Sequence, residues 1–273
     1  MILFIENYVG FHYEIIETII LNYNKIIITN KISTIFLSVL DSNISFIKYI
    51  KKKYPNIHFS IPNEFDYYIS CTIYDNDYDN LQKNSNKYFY ISHVVTDRLE
   101  KLSNVFFLTP LANNYIIADK LPYSENKIKS DIPIYVIQGN ITSSRRYYKL
   151  LEKILDESYN YNFKIKLLGY GNLPEELKKY SDKITLLNNL NFVDYHREFL
   201  DVYCILPLIT KQTHPQYYND KLTSTINYCI GYNLKCIIDK DLQKIYNLND
   251  VEIFDDENNI VNSFKKTLID FYK

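Results

Sequence analysis

Short apolar runs alternate with amphipathic stretches along this whole chain. In the first half, residues 2–5 (ILFI), 25–29 (KIIIT), 34–40 (TIFLSVL), 66–70 (DYYIS), 87–92 (KYFYIS) and 104–109 (NVFFLT) are largely apolar on consecutive positions. That pattern predicts strands covered on both faces. Residues 11–23 and 43–53 follow a helical period instead. Ile15, Ile16, Ile19 and Ile20 share one face of the first, and Asp41 or Ser42 is placed to cap the second. Residues 112–131 are polar, contain Pro122 and have no period, as expected of an interdomain linker.

The second half repeats the grammar. Strands are predicted over 132–139, 163–169, 183–187, 202–208, 235–239 and 252–254, and helices over 144–157, 174–180, 194–200, 222–232 and 258–272. Helices between consecutive buried strands imply right-handed crossovers in parallel sheets. The chain therefore reads as α/β, two Rossmann-like domains with a cleft between them. The predicted spans are 1–120, 131–257 and a C-terminal helix over 258–273.

Composition narrows the function classes. The 273 residues carry a net charge of −1, so no global field favours nucleic acid or an anionic membrane. No stretch approaches the roughly 18 apolar residues of a membrane span. The N-terminus reads as a first strand rather than a signal peptide, and the four cysteines form no CxxC pair. A soluble protein of a reducing, cytoplasmic compartment is the expectation. Asn43 and Asn140 sit in glycosylation-acceptor patterns that have meaning only in a secreted chain. The excess of Ile, Asn, Lys and Tyr, with 28 Tyr and 5 Gly, reads as the coding bias of an AT-rich genome. Asn and Lys counts then say little, while each glycine says more.

Ligands of open parallel sheets bind beyond the carboxyl ends of the strands. After 132–139 comes a polar loop with Gly139 and Asn140, then Arg145 and Arg146 in the first turn of a predicted helix. Two cations there are locally unfavourable unless an anion is present. Gly169 and Gly171 follow the next strand and permit close backbone approach to a ligand. A long polar loop after 202–208 runs through Tyr217 and Tyr218 into Lys221, Leu222, Thr223, Ser224 and Thr225, where a helix is predicted to begin. Capping needs one hydroxyl, and three beside a lysine point to a phosphate-bearing ligand. In the first half, His12 and His93 both fall at predicted strand carboxyl ends, with Glu6, Glu14, Asp75, Asp77 and Asp97 as unranked carboxylates nearby.

These stretches, above all "IQGNITSSRRYYKLL", "KIKLLGYGNLP" and "YYNDKLTSTINYCIGYNLKCIIDKDLQKIY", resemble GT-B glycosyltransferases. The resemblance implies a nucleoside diphosphate sugar as donor, held by the C-terminal domain, and a glycan or other small molecule as acceptor. It implies no cofactor or metal, no nucleic acid, and a monomer or homodimer. It places Arg145 or Arg146 and residues 221–225 on the donor diphosphate, and the nucleoside base near Phe192 to His196. For an inverting enzyme His12 or a carboxylate near it becomes the candidate base, and His93 resembles an acceptor-side histidine of retaining members. The paired glutamates of many retaining members have no match, with Asp220 and Tyr228 near their places and Tyr217, Tyr218 and Lys221 as substitutes. The compositional bias with this fold also resembles glycosyltransferases of giant DNA viruses. The rival readings are a non-catalytic GT-B-like binding protein and an NAD-dependent oxidoreductase, the latter without the G-x-G-x-x-G expected after an early strand.

Overall fold

The computed structural model describes residues 1–9, 12–27, 31–40 and 43–273. The chain divides into two compact units: Met1–Pro122 with Asp220–Leu222, and Tyr123–Asn219 with Thr223–Lys273. The division at Pro122 falls inside the polar stretch 112–131.

Unit 1 runs β1 (Ile2–Asn7), α1 (Glu14–Asn22), β2 (Thr34–Val39), α2 (Ile44–Lys53), β3 (Ile57–His58), β4 (Tyr67–Ile73), β5 (Tyr88–Ser92), α3 (Asp97–Glu100) and β6 (Val105–Phe107). The strands form one parallel sheet in the order β3-β2-β1-β4-β5-β6. This is the doubly wound dinucleotide-fold order, with its switch point between β1 and β4. Leu3, Ile5, Ile69 and Ile91 are fully buried, as expected of strands covered on both faces. The predicted strand at 25–29 does not form where it is described. Lys25 ends a 3-10 turn begun at Tyr23, Ile26 and Ile27 are buried in the bend that follows, and residues 28 and 29 lie outside the described residues. Local apolarity there fills the core without joining the ladder. Asp41 and Ser42, the predicted caps of α2, also lie outside the described residues. Asn43 caps that helix by accepting from the Phe46 N–H at 3.1 Å.

Unit 2 runs β7 (Ile134–Ile141), α4 (Tyr148–Ser158), β8 (Lys164–Gly171), β9 (Ile184–Asn188), α5 (Phe192–Arg197), β10 (Cys204–Ile205), α6 (Gln216–Asn219), α7 (Ser224–Gly231), β11 (Lys235–Asp239), α8 (Lys240–Tyr246), β12 (Val251–Phe254) and α9 (Ile260–Phe271). Its sheet order, β12-β11-β10-β7-β8-β9, repeats that of unit 1, again all parallel, with the switch point between β7 and β10. α9 belongs to this unit. Its Ile260, Val261, Phe264 and Leu268 are buried in the unit's core, and Phe264 packs on Tyr135 with ring centroids 4.4 Å apart. Among the described residues, no helix is long and apolar enough to cross a membrane.

Candidate functional site

The carboxyl edge of the unit 2 sheet gathers the predicted donor residues, but not in the way their spacing implied. Helix α4 begins at Tyr148, not at residue 144. Arg145 and Arg146 therefore sit in the turn before it, with both N–H groups donating to the Thr142 carbonyl at 3.0 Å. That turn directs Arg146 inward, where only 4% of it is exposed. Its Nη1 donates to the Arg145 carbonyl at 2.6 Å and its Nη2 to Thr225 Oγ1 at 2.9 Å and to the Gln138 carbonyl. Thr225 Oγ1 in turn donates to Gln138 Oε1 at 3.1 Å. No carboxylate pairs with this guanidinium among the described residues, and its Nε is buried without a hydrogen-bond partner. Burial, more than any neighbour, works against its charge. A buried cation compensated only by dipoles is costly, and a bound anion is the usual remedy.

The neighbours extend this group of hydrogen-bonding residues. Arg145 Nη1 donates to Tyr217 Oη at 3.3 Å. Thr223 lies at the α7 N-cap but makes no capping hydrogen bond, and Thr225 is committed to Arg146 and Gln138. The hydroxyls at the head of α7 are thus not spent on capping. The first-turn N–H groups at Ser224 and Thr225 remain directed off the helix end, as helix geometry requires. His214, only 2% exposed, joins the group: its Nδ1 meets Thr213 Oγ1 at 2.8 Å, and it hydrogen-bonds the Ser144 backbone. Burial first, and the Arg146 charge second, hold this imidazole below the ordinary histidine range, so it is neutral.

The glycines let neighbouring strands approach closely. Gly139 and Gly169 face each other across β7 and β8. A Cβ on Gly169 would lie 2.7 Å from the Gly139 carbonyl carbon. Gly139 has φ +108°, and a Cβ there would meet Arg146 Nη2 at 2.9 Å. These residues let two backbones close and leave room for the buried guanidinium. Asn140 is exposed on the same strand end.

Five predicted residues have other partners among the described residues. Tyr218 is buried against Asp239 and the Ile209 carbonyl, so its neighbour Tyr217 is the tyrosine that meets the arginines. Phe192 opens α5 and packs on His196 at 4.4 Å. His196 itself is 1% exposed and bonded to Tyr232 Oη at 2.6 Å inside an aromatic cluster. Lys221 and Leu222 belong to unit 1. Lys221 bridges Val94, and the Leu222 N–H donates to the His93 carbonyl at 3.0 Å.

At the carboxyl edge of unit 1, His12 and His93 stack with ring centroids 3.7 Å apart. His12 Nδ1 lies 3.3 Å from Glu14 Oε1. Its φ of +62° is left-handed, a strained backbone of the kind that collects at functional sites. Of the carboxylates left unranked by the sequence, Glu14 alone engages a histidine. Glu6 accepts from Tyr68, Asp75 pairs with Arg98, Asp77 accepts from Tyr8, and Asp97 sits in the first turn of α3. His93 is buried, and burial first, then His12 and Lys221, hold its proton affinity well below the ordinary value.

The depressed histidines set a pH dependence. Unfolding frees His93 and His214 to take up protons below about pH 6.5, while the folded chain keeps them neutral. The unfolded state then binds more protons, so stability rises with pH in that window and is lost as pH falls below it. A His93→Gln, His214→Gln double variant should show a flatter melting temperature between about pH 5 and 7 than the parent chain.

No protein-family model and no curated protein sequence matches the chain. Solved structures do match. AviGT4, a glycosyltransferase involved in avilamycin A biosynthesis, superposes with a TM-score of 0.56 at 9% identity, over 97% of this chain and 88% of its own. The lipopolysaccharide outer core galactosyltransferase WaaB gives 0.53 at 13% identity, over 100% and 91%. The UDP-GlcNAc 2-epimerase of Neisseria meningitidis, solved with UDP-GlcNAc bound, gives 0.50 at 9%, over 99% and 92%. Identities this low speak to architecture alone. With two parallel sheets of Rossmann order, one in each unit, the chain has the GT-B glycosyltransferase fold.

Proposed function

We propose that the protein is a glycosyltransferase whose unit 2 holds the diphosphate of a nucleoside diphosphate sugar and whose unit 1 binds the acceptor. The observation that carries this reading is Arg146, a buried guanidinium without a carboxylate, at the switch point of the unit 2 sheet and bonded to Thr225 in the first turn of α7. A diphosphate would supply the missing charge and accept from Arg145, Arg146 and the α7 N–H groups. It gains negative charge as the sugar leaves, so the same groups would stabilise the transition state more than the ground state. The similar structures support the reading through what they are named for, two glycosyltransferases and an epimerase solved with a sugar nucleotide.

In this account His12 is the base that takes the proton of an acceptor hydroxyl, and Glu14 orients its imidazole through Nδ1. A histidine–carboxylate base fits direct displacement with inversion. The lack of the paired glutamates agrees with it: Tyr228, at one of those places, is buried among Tyr195, His196 and Phe199. His12→Gln is expected to lower kcat by about 10²–10⁴-fold with little change in donor affinity, and Glu14→Gln to lower it less. The test is release of nucleoside diphosphate from UDP-, GDP-, ADP- and CDP-sugars, with and without candidate acceptors. Turnover of one donor that disappears in Arg146→Met supports the assignment. Binding of a sugar nucleotide without any turnover would favour the non-catalytic reading instead.

A further inference from the structure

Unit 1 contains a second electropositive spot that the base does not account for. His93 is 7% exposed, and its Nε2 is buried with no hydrogen-bond partner among the described residues. One face of its ring is covered by His12 at 3.7 Å. Beside it, residues 220–222 pair with the chain leaving β5: the Val95 N–H donates to the Asp220 carbonyl at 2.7 Å, and Lys221 bridges Val94. Lys221 makes no ion pair among the described residues. Glu14, which bonds His12, is already engaged. An imidazole nitrogen buried without a partner costs roughly 1–3 kcal/mol, and a neutral imidazole can donate from Nε2. A sugar hydroxyl would satisfy that nitrogen alone and leave unused the half-buried Lys221, whose charge already acts on His93. An anion satisfies both.

Resting on the reading of unit 1 as the acceptor side, we propose that the acceptor carries an anionic group, a phosphate or a carboxylate, received by the His93 Nε2–H and the Lys221 ammonium. The site requires no covalent step. Its role is to hold the acceptor while the neighbouring His12 takes a proton from it.

Imidazole ¹⁵N–¹H spectra of the full chain test this. Inorganic phosphate and, separately, acetate are titrated into the Arg146→Met variant, so that phosphate binding in unit 2 does not interfere. His93→Gln identifies the His93 resonances. The expected result is a saturable movement of those resonances, weakened about tenfold or more in Lys221→Met and retained in Lys221→Arg. Movement with phosphate alone assigns a phosphorylated acceptor, and movement with acetate as well admits a carboxylate. No movement with either anion, or the same movement in Lys221→Met, overturns the proposal. Titration of the parent chain with nucleoside diphosphates is independent. If that fails while the phosphate response persists, the transferase reading falls and the anion site stands.

Discussion

Replacing Arg146 with Met should weaken nucleoside diphosphate binding by at least about thirtyfold while leaving the unliganded fold close to its original stability. The two effects separate because the guanidinium is buried without a carboxylate. Truncating one side of a buried, hydrogen-bonded charge contact costs about 2–5 kcal/mol in affinity, and each 1.4 kcal/mol is tenfold. In the unliganded protein the same cation carries its full desolvation cost. Its bonds to the Gln138 and Arg145 carbonyls and to Thr225 recover only part of it. Met keeps most of the stem's packing and removes the charge, so the lost hydrogen bonds and the relieved desolvation should cancel to within about 2 kcal/mol. Calorimetric titration and urea denaturation of the same preparation check both halves. A large loss of stability with unchanged affinity would make Arg146 a structural arginine.

Gly169→Ala should be the most damaging small substitution in unit 2. The added methyl would fall inside the contact envelope of the Gly139 carbonyl, 2.7 Å from its carbon and 3.1 Å from the Gly139 nitrogen. The obstacle is the backbone of a paired strand, which cannot turn aside as a side chain does. Overpacking ordinarily costs about 1–3 kcal/mol, and this one should reach the top of that range or beyond. At about 2–4 °C per kcal/mol, the melting temperature should fall by roughly 6–12 °C. Tyr170→Ala, one residue on and 71% exposed, should stay within about 0.5 kcal/mol of the parent. Because Gly139 also borders Arg146, Gly169→Ala should weaken diphosphate binding as the β7–β8 pair separates, and Tyr170→Ala gives the comparison.

Much of this was legible in the chain. Strands such as 235–239, apolar on consecutive residues and bounded by Asn233 and Asp239, appear where the pattern put them. The elements it missed are short. β3 has two residues, α3 and α6 four each, and α8 is launched by Asp239, whose carboxylate accepts from the Asp241 and Leu242 N–H groups. A pattern read over a dozen residues cannot register a two-residue ladder. The site was legible as a list of loops and not as an arrangement. Arg145 and Arg146 were placed in a helix because Tyr148 to Leu155 carry a helical period and nothing local marks where it starts. The turn at Thr142 marks it, and that turn buries one arginine and not the other. His214 passed unnoticed because a single histidine in a polar loop has no periodic signature. Only the fold brings it against Ser144 and the arginines. The glycines stood out by their scarcity, but the close approach of β7 and β8 at Gly139 and Gly169 has no local signature. Of the three hydroxyls at the head of α7, Thr225 bonds Arg146 and Gln138, a contact that no local pattern announces.

The central claim is that unit 2 is a nucleoside diphosphate site, and calorimetric titration of the parent chain with UDP, GDP, ADP and CDP, beside NAD, tests it most directly. The account predicts saturable binding of one nucleoside diphosphate, with a matching rise in melting temperature set by the ratio of ligand concentration to its dissociation constant. Binding of none of them, or of NAD alone, would contradict it.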